Sequence, residues 1–186
     1  MPVKAFLGNI ALWVSGWKSH FPEEYRKDKM VLIAAPHTSN WDLFYAMAVF
    51  WKLGISVKYF IKDAYTKGLH GYLFKSMGAI GVDRKRTGNL VHHAAALLEK
   101  NREMVIMVPA EGTRKRVDKW KTGFYHIALK AKVPVGLGYL DYGKKEAGVG
   151  KLVYLTGDFE QDMAEIEAFY RDITAKYPEQ YNPKIF

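Results

Sequence analysis

The sequence predicts a single α/β domain with a largely parallel central sheet flanked by helices. Short apolar segments typical of buried strands alternate with longer segments of helical periodicity over most of the chain. One predicted strand, residues 104–109, is apolar at every position, as expected where helices cover both faces of a parallel sheet. The chain has 186 residues and 49% apolar content, which is enough for one domain with its own core.

The chain begins with an amphipathic helix, residues 1–19, which we separate from the main domain, residues 20–186. Four apolar side chains at spacings of three and four would share one face of this helix. They are Phe6, Ile10, Trp13 and Trp17. Such a face can pack on its own domain, or it can lie in a membrane interface with its tryptophans at headgroup level. The sequence contains no run of ~20 apolar residues that would span a bilayer, and the first segment does not have the pattern of a cleavable signal peptide.

The remaining elements are predicted from short apolar runs for strands and from apolar residues spaced three and four apart for helices. Strands are predicted at residues 30–35, 56–62, 79–83, 104–109, 133–140 and 149–155, the last at an edge of the sheet. Helices are predicted at residues 41–53, 64–77, 87–101, 122–132 and 158–176. Gly54 is suited to end the first of these helices, and an irregular tail is expected after the last one.

A polar turn, His37 to Asp42, joins the first of these strands to the next helix. Ser39 or Asn40 is suited to cap that helix, and Asp42 falls in its first turn, where the helix dipole favours an anion. The turn can also bring His37 to Asp42. A carboxylate bonded to one imidazole nitrogen leaves the other nitrogen as a base, so the pair is either a candidate dyad or an ordinary helix cap.

Two further polar clusters follow strand ends, at the sheet edge where sites form in α/β folds. Arg84-Lys85-Arg86 follows the strand at 79–83 and could hold a phosphate. Glu111-Gly112-Thr113-Arg114 combines an arginine fork, a hydroxyl and a glycine that lets backbone N–H groups approach a ligand. Glu111 could hold this loop by bonding backbone N–H groups or a base. Each cluster could instead be a solvated charge run or a turn with Glu and Arg paired.

The composition limits the possible partners and chemistry. The net charge is +9 and the aromatic content is 15%, which suits a membrane interface or single-stranded nucleic acid. The chain has no cysteine, and it also lacks a Gly-x-Ser-x-Gly elbow. The sequence therefore favours a base that acts directly on a substrate hydroxyl. The remaining histidines do not show metal-ligand spacing with carboxylates, so we predict no metal site.

In order, these clusters resemble the sequence blocks of the glycerolphosphate acyltransferase family, of the lysophosphatidic acid acyltransferase type. The segment from His37 to Asp42 matches the His-x4-Asp block, and residues 78–84 are similar to the glycine-containing strand that ends in arginine. Residues 109–114 are similar to Pro-Glu-Gly-Thr-Arg, with one alanine inserted after the proline. Residues 133–135 resemble the fourth block, although its usual second proline is replaced by glycine.

The resemblance implies acyl transfer from a thioester to the hydroxyl of a lysophospholipid such as 1-acyl-glycerol-3-phosphate. The donor would be acyl-CoA or acyl carrier protein, and no cofactor is implied. His37 would be the general base and Asp42 its orienter, and backbone N–H groups near the first block could stabilise the oxyanion. The substrate-binding residues implied by the resemblance are Arg84, Thr113 and Arg114 for the acceptor phosphate, with Glu111 and Gly112 shaping the loop.

The resemblance also implies a cytoplasmic protein that is peripheral at the inner face of the cell membrane, with anionic lipid and not nucleic acid as its partner. Three alternatives stay open from the residues alone. The acceptor could be another lysolipid or an amino lipid. The chain could be a basic lipid-binding or nucleic-acid-binding module without catalysis, or a hydrolase in which His37 activates water.

Overall fold

A computed structural model describes residues 2–83 and 90–186 of the chain. These residues form one seven-stranded sheet with six α-helices. The strands are β1 (Lys18–His20), β2 (Lys29–Ala35), β3 (Val57–Lys62), β4 (Ala79–Val82), β5 (Met104–Val108), β6 (Val135–Asp141) and β7 (Glu146–Val153). The helices are α1 (Pro2–Ser15), α2 (Trp41–Lys52), α3 (Gly68–Ser76), α4 (Leu90–Lys100), α5 (Gly123–Ala131) and α6 (Phe159–Tyr170).

The strand order in the sheet is β1-β7-β6-β2-β5-β3-β4. The strands from β6 to β4 are mutually parallel, whereas β7 runs antiparallel to β6 and pairs in parallel with β1. The predicted α/β class with a largely parallel sheet is confirmed. The edge strand predicted at residues 149–155 is the second part of β7. The short polar strand β1 pairs with Glu146 to Gly148, and among the described pairings the residues after Gly148 pair with β6 alone. A strand that reads Lys-Ser-His has no apolar pattern by which the sequence could reveal it.

Helices cover both faces of the sheet, so the central strands are apolar at consecutive positions. In β2, Val31 and Ile33 contribute to the core on one face, and Met30 and Leu32 contribute to the core on the other. The first core is closed by α4, α5 and α6, and the second by α1 and α2. This arrangement brings the carboxyl ends of the parallel strands, and the loops that follow them, to one edge of the sheet.

Two predicted helices are shorter in the structure. The helix predicted at 64–77 begins only at Gly68, because Asp63–Thr66 form a 3-10 turn. The helix predicted at 158–176 ends at Tyr170, because the residues that follow fold onto the domain as a tail. Ala175, Tyr181 and Ile185 of that tail are buried in the core. The predicted start of the helix at 87–101 lies outside the described residues.

Helix α1 packs closely along α2. A Cβ atom on Gly8 would lie 2.5 Å from the carbonyl oxygen of Ala48, so the two helices meet backbone to backbone. Leu12 fills the same contact and is buried in the core. Among the described helices, none has the length and apolar character needed to cross a membrane.

The outward side of α1 is apolar and open to solvent. Its exposed apolar side chains are Val3, Phe6, Leu7, Ile10, Trp13 and Val14, with exposed fractions of 42–82%. The prediction that Trp17 shares this face is wrong. The helix ends at Ser15, and the chain turns at Gly16 with a φ of +71°. Trp17 then enters the core, where its ring stacks on Tyr45 at a centroid distance of 4.3 Å.

A buried carboxylate, Asp162, fastens the start of α6 to the loop after β7 and to α5. It accepts hydrogen bonds from the backbone and hydroxyl of Thr156, from the Gly157 N–H and from the Tyr125 hydroxyl. Burial raises the pKa of Asp162, but the hydrogen bonds outweigh burial and hold the pKa below its ordinary value. Ionised Asp162 therefore stabilises the fold above its unfolded-state pKa, and this stabilisation is lost as the pH falls through the folded-state pKa.

Replacing Asp162 with asparagine should lower the free energy of unfolding by about 3 kcal/mol at pH 7, because the amide NH₂ would face N–H and O–H donors. The loss should shrink in acid, where the wild-type carboxyl group also becomes protonated. Urea denaturation at neutral and acidic pH measures both effects. Asp158→Asn is the matched control, because Asp158 caps the same helix and asparagine caps equally well. An equal loss in both variants, or a loss independent of pH, would contradict this role.

Candidate active site

The turn between β2 and α2 places His37 beside Asp42. The Nδ1 atom of His37 lies 3.2 Å from Oδ2 of Asp42, and the histidine side chain retains 27% of its exposure. No described residue forms a hydrogen bond with the other ring nitrogen. The predicted proximity of His37 and Asp42 is confirmed, and the geometry leaves one imidazole nitrogen free to accept a proton from a ligand.

The carboxylate of Asp42 is the most extensively bonded group of the turn. Its side chain is buried, and Oδ2 accepts hydrogen bonds from the backbone N–H groups of Thr38 and Ser39, each at 2.8 Å. Its Oδ1 accepts a hydrogen bond from the Tyr142 hydroxyl at 2.7 Å. These hydrogen bonds fix the conformation of the turn. They also hold the Asp42 carboxylate in the position where it contacts His37. Of the two residues suited to cap α2, Asn40 makes no side-chain cap hydrogen bond, whereas the Ser39 hydroxyl accepts a hydrogen bond from the Trp41 N–H at 3.2 Å.

Tyr142 is the site residue that sequence reasoning missed. It follows β6 and packs edge-on against Trp17, with ring centroids 4.8 Å apart. Burial and the hydrogen bond to Asp42 raise the pKa of Tyr142 well above its ordinary value, so it stays a donor. A signal was present, because Tyr142 lies two residues after the end of the strand predicted at 133–140, as His37 and Glu111 do after their predicted strands.

Glu111 joins the loop after β5 to the histidine turn. It is buried, and its Oε2 accepts a hydrogen bond from the backbone N–H of His37 at 2.7 Å. The predicted bonding of a backbone N–H by Glu111 is confirmed. Burial raises the pKa of Glu111 to about 7, and nearby Asp42 adds to the rise, whereas the hydrogen bond and charge of His37 oppose it. The titration of this carboxyl group is therefore brought into the neutral range.

The rest of this loop is exposed. Gly112 has a φ of +68°, which a side chain would strain, and its N–H donates to the Pro109 carbonyl within the turn. That this glycine lets other backbone N–H groups of the loop approach a ligand stays a prediction. Thr113 accepts a hydrogen bond from the Lys115 N–H, and the Arg114 guanidinium donates to the side-chain oxygen of Asn40. Arg114 is thereby held beside the histidine turn, whereas Arg84 lies outside the described residues.

An apolar cavity of about 240 Å³ opens beside the histidine and aspartate. His37 and Asp42 form its polar wall. The other lining residues are Ala34, Pro36, Leu43, Ala46, Tyr59, Phe60, Ile61, Met107, Pro109 and Leu140. The arrangement therefore combines a base, an orienting carboxylate and a space suited to an apolar chain.

Three backbone N–H groups of the turn are not available as oxyanion donors, so the donors expected near the first block stay a prediction. The N–H groups of His37, Thr38 and Ser39 already donate to the carboxylates of Glu111 and Asp42. These three donors stabilise the turn and are therefore not available to a substrate. Within residues 2–83 and 90–186, no three His, Asp or Glu side chains are grouped so that they could hold a metal ion.

Comparison with solved structures supports the fold. The chain is similar to the crystal structure of the 1-acyl-sn-glycerophosphate (LPA) acyltransferase PlsC from Thermotoga maritima, with a TM-score of 0.63. The match covers 91% of this chain and 76% of that one at 16% sequence identity, so it shows a shared fold. A search of curated proteins gave no significant match.

The sequence itself matches a family model. Residues 17–136 match the family described as Acyltransferase, and this segment contains His37, Asp42, Glu111 and Arg114. The matched segment is more than half of the chain. The chain therefore belongs to the acyltransferase family.

Proposed function

We propose that this acyltransferase moves a fatty acyl group from a thioester to the hydroxyl of a lysophospholipid such as 1-acyl-glycerol-3-phosphate. The observation that carries the proposal is the contact between His37 and Asp42 at the wall of an apolar cavity. The fold shared with a lysophosphatidic acid acyltransferase adds support. The acyl donor, either acyl-CoA or acyl carrier protein, is a substrate, and the reaction needs no cofactor.

His37 acts as the general base. With Nδ1–H directed to Asp42, the other ring nitrogen takes the proton of the acceptor hydroxyl as its oxygen attacks the thioester carbonyl carbon. The tetrahedral intermediate collapses, the C–S bond breaks, and the thiolate takes the proton from the imidazolium. The products are an ester and a free thiol. Asp42 holds the imidazole in the productive tautomer and stabilises its charged form.

The cavity beside His37 receives an apolar chain of a substrate. Its walls include Leu43, Phe60 and Met107, so each methylene that leaves water for this space contributes about 0.8 kcal/mol. Arg114 and Thr113 hold the acceptor phosphate, because a guanidinium fork and a hydroxyl match its oxygens. Arg84 is assigned the same task from the family resemblance alone. Glu111 and Gly112 shape the loop that carries these groups.

The exposed face of α1 serves as the membrane-contacting surface of the domain, whereas the other face of α1 and Trp17 belong to the core. The open apolar face of α1 has the character of an interfacial helix, with Trp13 82% exposed. The chain carries a net charge of +9, and attraction to anionic lipid is worth about 1 kcal/mol for each well-placed Lys or Arg. We place the protein at the inner, cytoplasmic face of the cell membrane, where an anionic surface and both substrates are accessible.

His37→Ala should abolish acyl transfer while the circular dichroism spectrum stays unchanged, because the variant loses only the base. The assay follows thiol release from acyl-CoA with and without lysophosphatidic acid. His126→Ala, an exposed histidine of α5, is the control and should retain full activity. A wild-type rate in the His37 variant would show that His37 is not the general base. Thiol release that does not depend on the acceptor would indicate a hydrolase.

Asp42→Asn should lower kcat by at least about 100-fold, because an amide favours the wrong imidazole tautomer. The exposed carboxylate variant Asp158→Asn provides the comparison for a general change in charge. A loss below about 10-fold would make Asp42 only a structural residue of the turn. Melting temperatures of both variants show whether lost activity reflects lost folding.

Replacing Phe6 and Trp13 together with serine should weaken binding to anionic vesicles by about 10-fold or more, because two exposed apolar side chains no longer enter the interface. Substitution is preferable to deletion of residues 1–18, since Leu12 and Trp17 belong to the core. Sedimentation with phosphatidylglycerol-containing vesicles measures the change. Tyr154→Ser removes an exposed aromatic side chain elsewhere and should bind normally. If the double variant binds vesicles as well as the wild type does, the exposed face of α1 does not bind the membrane.

A further inference from the structure

Lys176, in the tail after α6, lies among three aromatic rings. Its Nζ atom is 5.4 Å from the ring centroid of Trp41, 5.7 Å from that of Tyr177 and 5.9 Å from that of Tyr142. Each distance is within the range of a cation–π contact. The rings therefore restrict where the ammonium group can lie.

The positive charge of Lys176 is not neutralised by a partner. Among the described residues, no carboxylate forms a salt bridge with Lys176. Ring faces attract a cation without cancelling its charge and leave its N–H donors unused. The side chain is only partly buried, so a ligand from solvent can reach it. Lys176 thus remains available to an anion.

Contacts of the surrounding residues tie this lysine to the histidine turn. Trp41 belongs to the turn itself, and the Tyr142 hydroxyl bonds Asp42. The Tyr177 N–H donates to the Thr38 hydroxyl at 3.3 Å, which fastens the tail to the same turn. Lys176 is therefore held beside the turn through both the tail and the aromatic rings.

Arg114 is held beside the same turn. Its guanidinium bonds Asn40, which directly precedes Trp41 in the chain, and Trp41 is one of the three rings around Lys176. Two cations from distant parts of the chain thus converge on adjacent residues. Lys176 also lies outside the segment that matches the acyltransferase family, so the match says nothing of its role.

We propose that Lys176 is a phosphate-binding residue of the active site, one that binds a substrate phosphate beside the group held by Arg114. This inference rests on the proposed function, which supplies two phosphate-bearing substrates. The phosphate belongs either to the glycerophosphate head of the acceptor or to the phosphopantetheine arm of the acyl donor. Both offer the same anionic oxygens to an ammonium group.

The test compares Lys176→Gln, which removes the charge, with Lys176→Arg, which keeps it. Lys130→Gln, an exposed lysine near the end of α5, is the matched control. The glutamine variant should raise KM for the phosphate-bearing substrate by about 10-fold, with kcat and melting temperature little changed, because one charge-assisted hydrogen bond is lost. The arginine variant and the Lys130 control should remain close to wild type.

The two sources of phosphate separate in the kinetics. A higher KM for lysophosphatidic acid alone assigns Lys176 to the acceptor, and a higher KM for acyl-CoA alone assigns it to the donor. Unchanged KM values for both substrates overturn the inference. A fall in melting temperature with both KM values unchanged also overturns it, because the rings and lysine would then serve only the fold.

A binding experiment separates this inference from the proposed function. Ligand-observed NMR measures the affinity of wild-type and Lys176→Gln protein for glycerol 3-phosphate and for phosphopantetheine. If the wild-type protein transfers no acyl group, the proposed function fails, and weaker binding in the variant still supports a phosphate site. Equal affinity of both proteins for both probes overturns the site whatever the enzyme assay shows.

Discussion

The structure around the candidate active site depends on the hydrogen bonds that the buried carboxylate of Asp42 requires. A buried anion without hydrogen-bond partners is strongly unfavourable, so the surrounding chain must supply donors. Backbone N–H groups of the turn and the Tyr142 hydroxyl provide them, and His37 completes the set. The requirement fixes the turn after β2, the loop after β6 and the orientation of the imidazole together.

Glu111, from the loop after β5, is a second buried carboxyl group that bonds the same turn. It receives one backbone N–H on Oε2, whereas its Oε1 is buried without a partner among the described residues. Burial and the nearby charge of Asp42 raise its pKa to about 7. Asp42 thus has a hydrogen-bond partner on each oxygen, whereas burial brings the titration of Glu111 into the neutral range, with a smaller contribution from the nearby charge of Asp42.

The sequence predicted the elements and contacts that are determined by residues close together in the chain. The apolar runs of β2 and β5 revealed a sheet covered on both faces, and the spacing from His37 to Asp42 indicated their contact. Features that depend on distant pairing could not be found in the same way. Tyr142 reaches Asp42 across 100 residues of sequence. Trp17 satisfied a helical spacing but turned into the core at Gly16, and the polar strand β1 forms only because β7 offers it an edge.

The close packing of α1 on α2 fixes the position of the active site relative to any surface that the exposed face of α1 contacts. Gly8 brings the two backbones together, and the first turn of α2 carries Asp42. Ala48, which Gly8 approaches, lies six residues after Asp42 on α2, so the rigid helix separates this contact from the site by about 9 Å. If the open face of α1 lies on a surface, the height of His37 above that surface is a fixed property of the fold. The depth at which an acceptor presents its hydroxyl then becomes a basis for substrate selection, before any contact with the site is made.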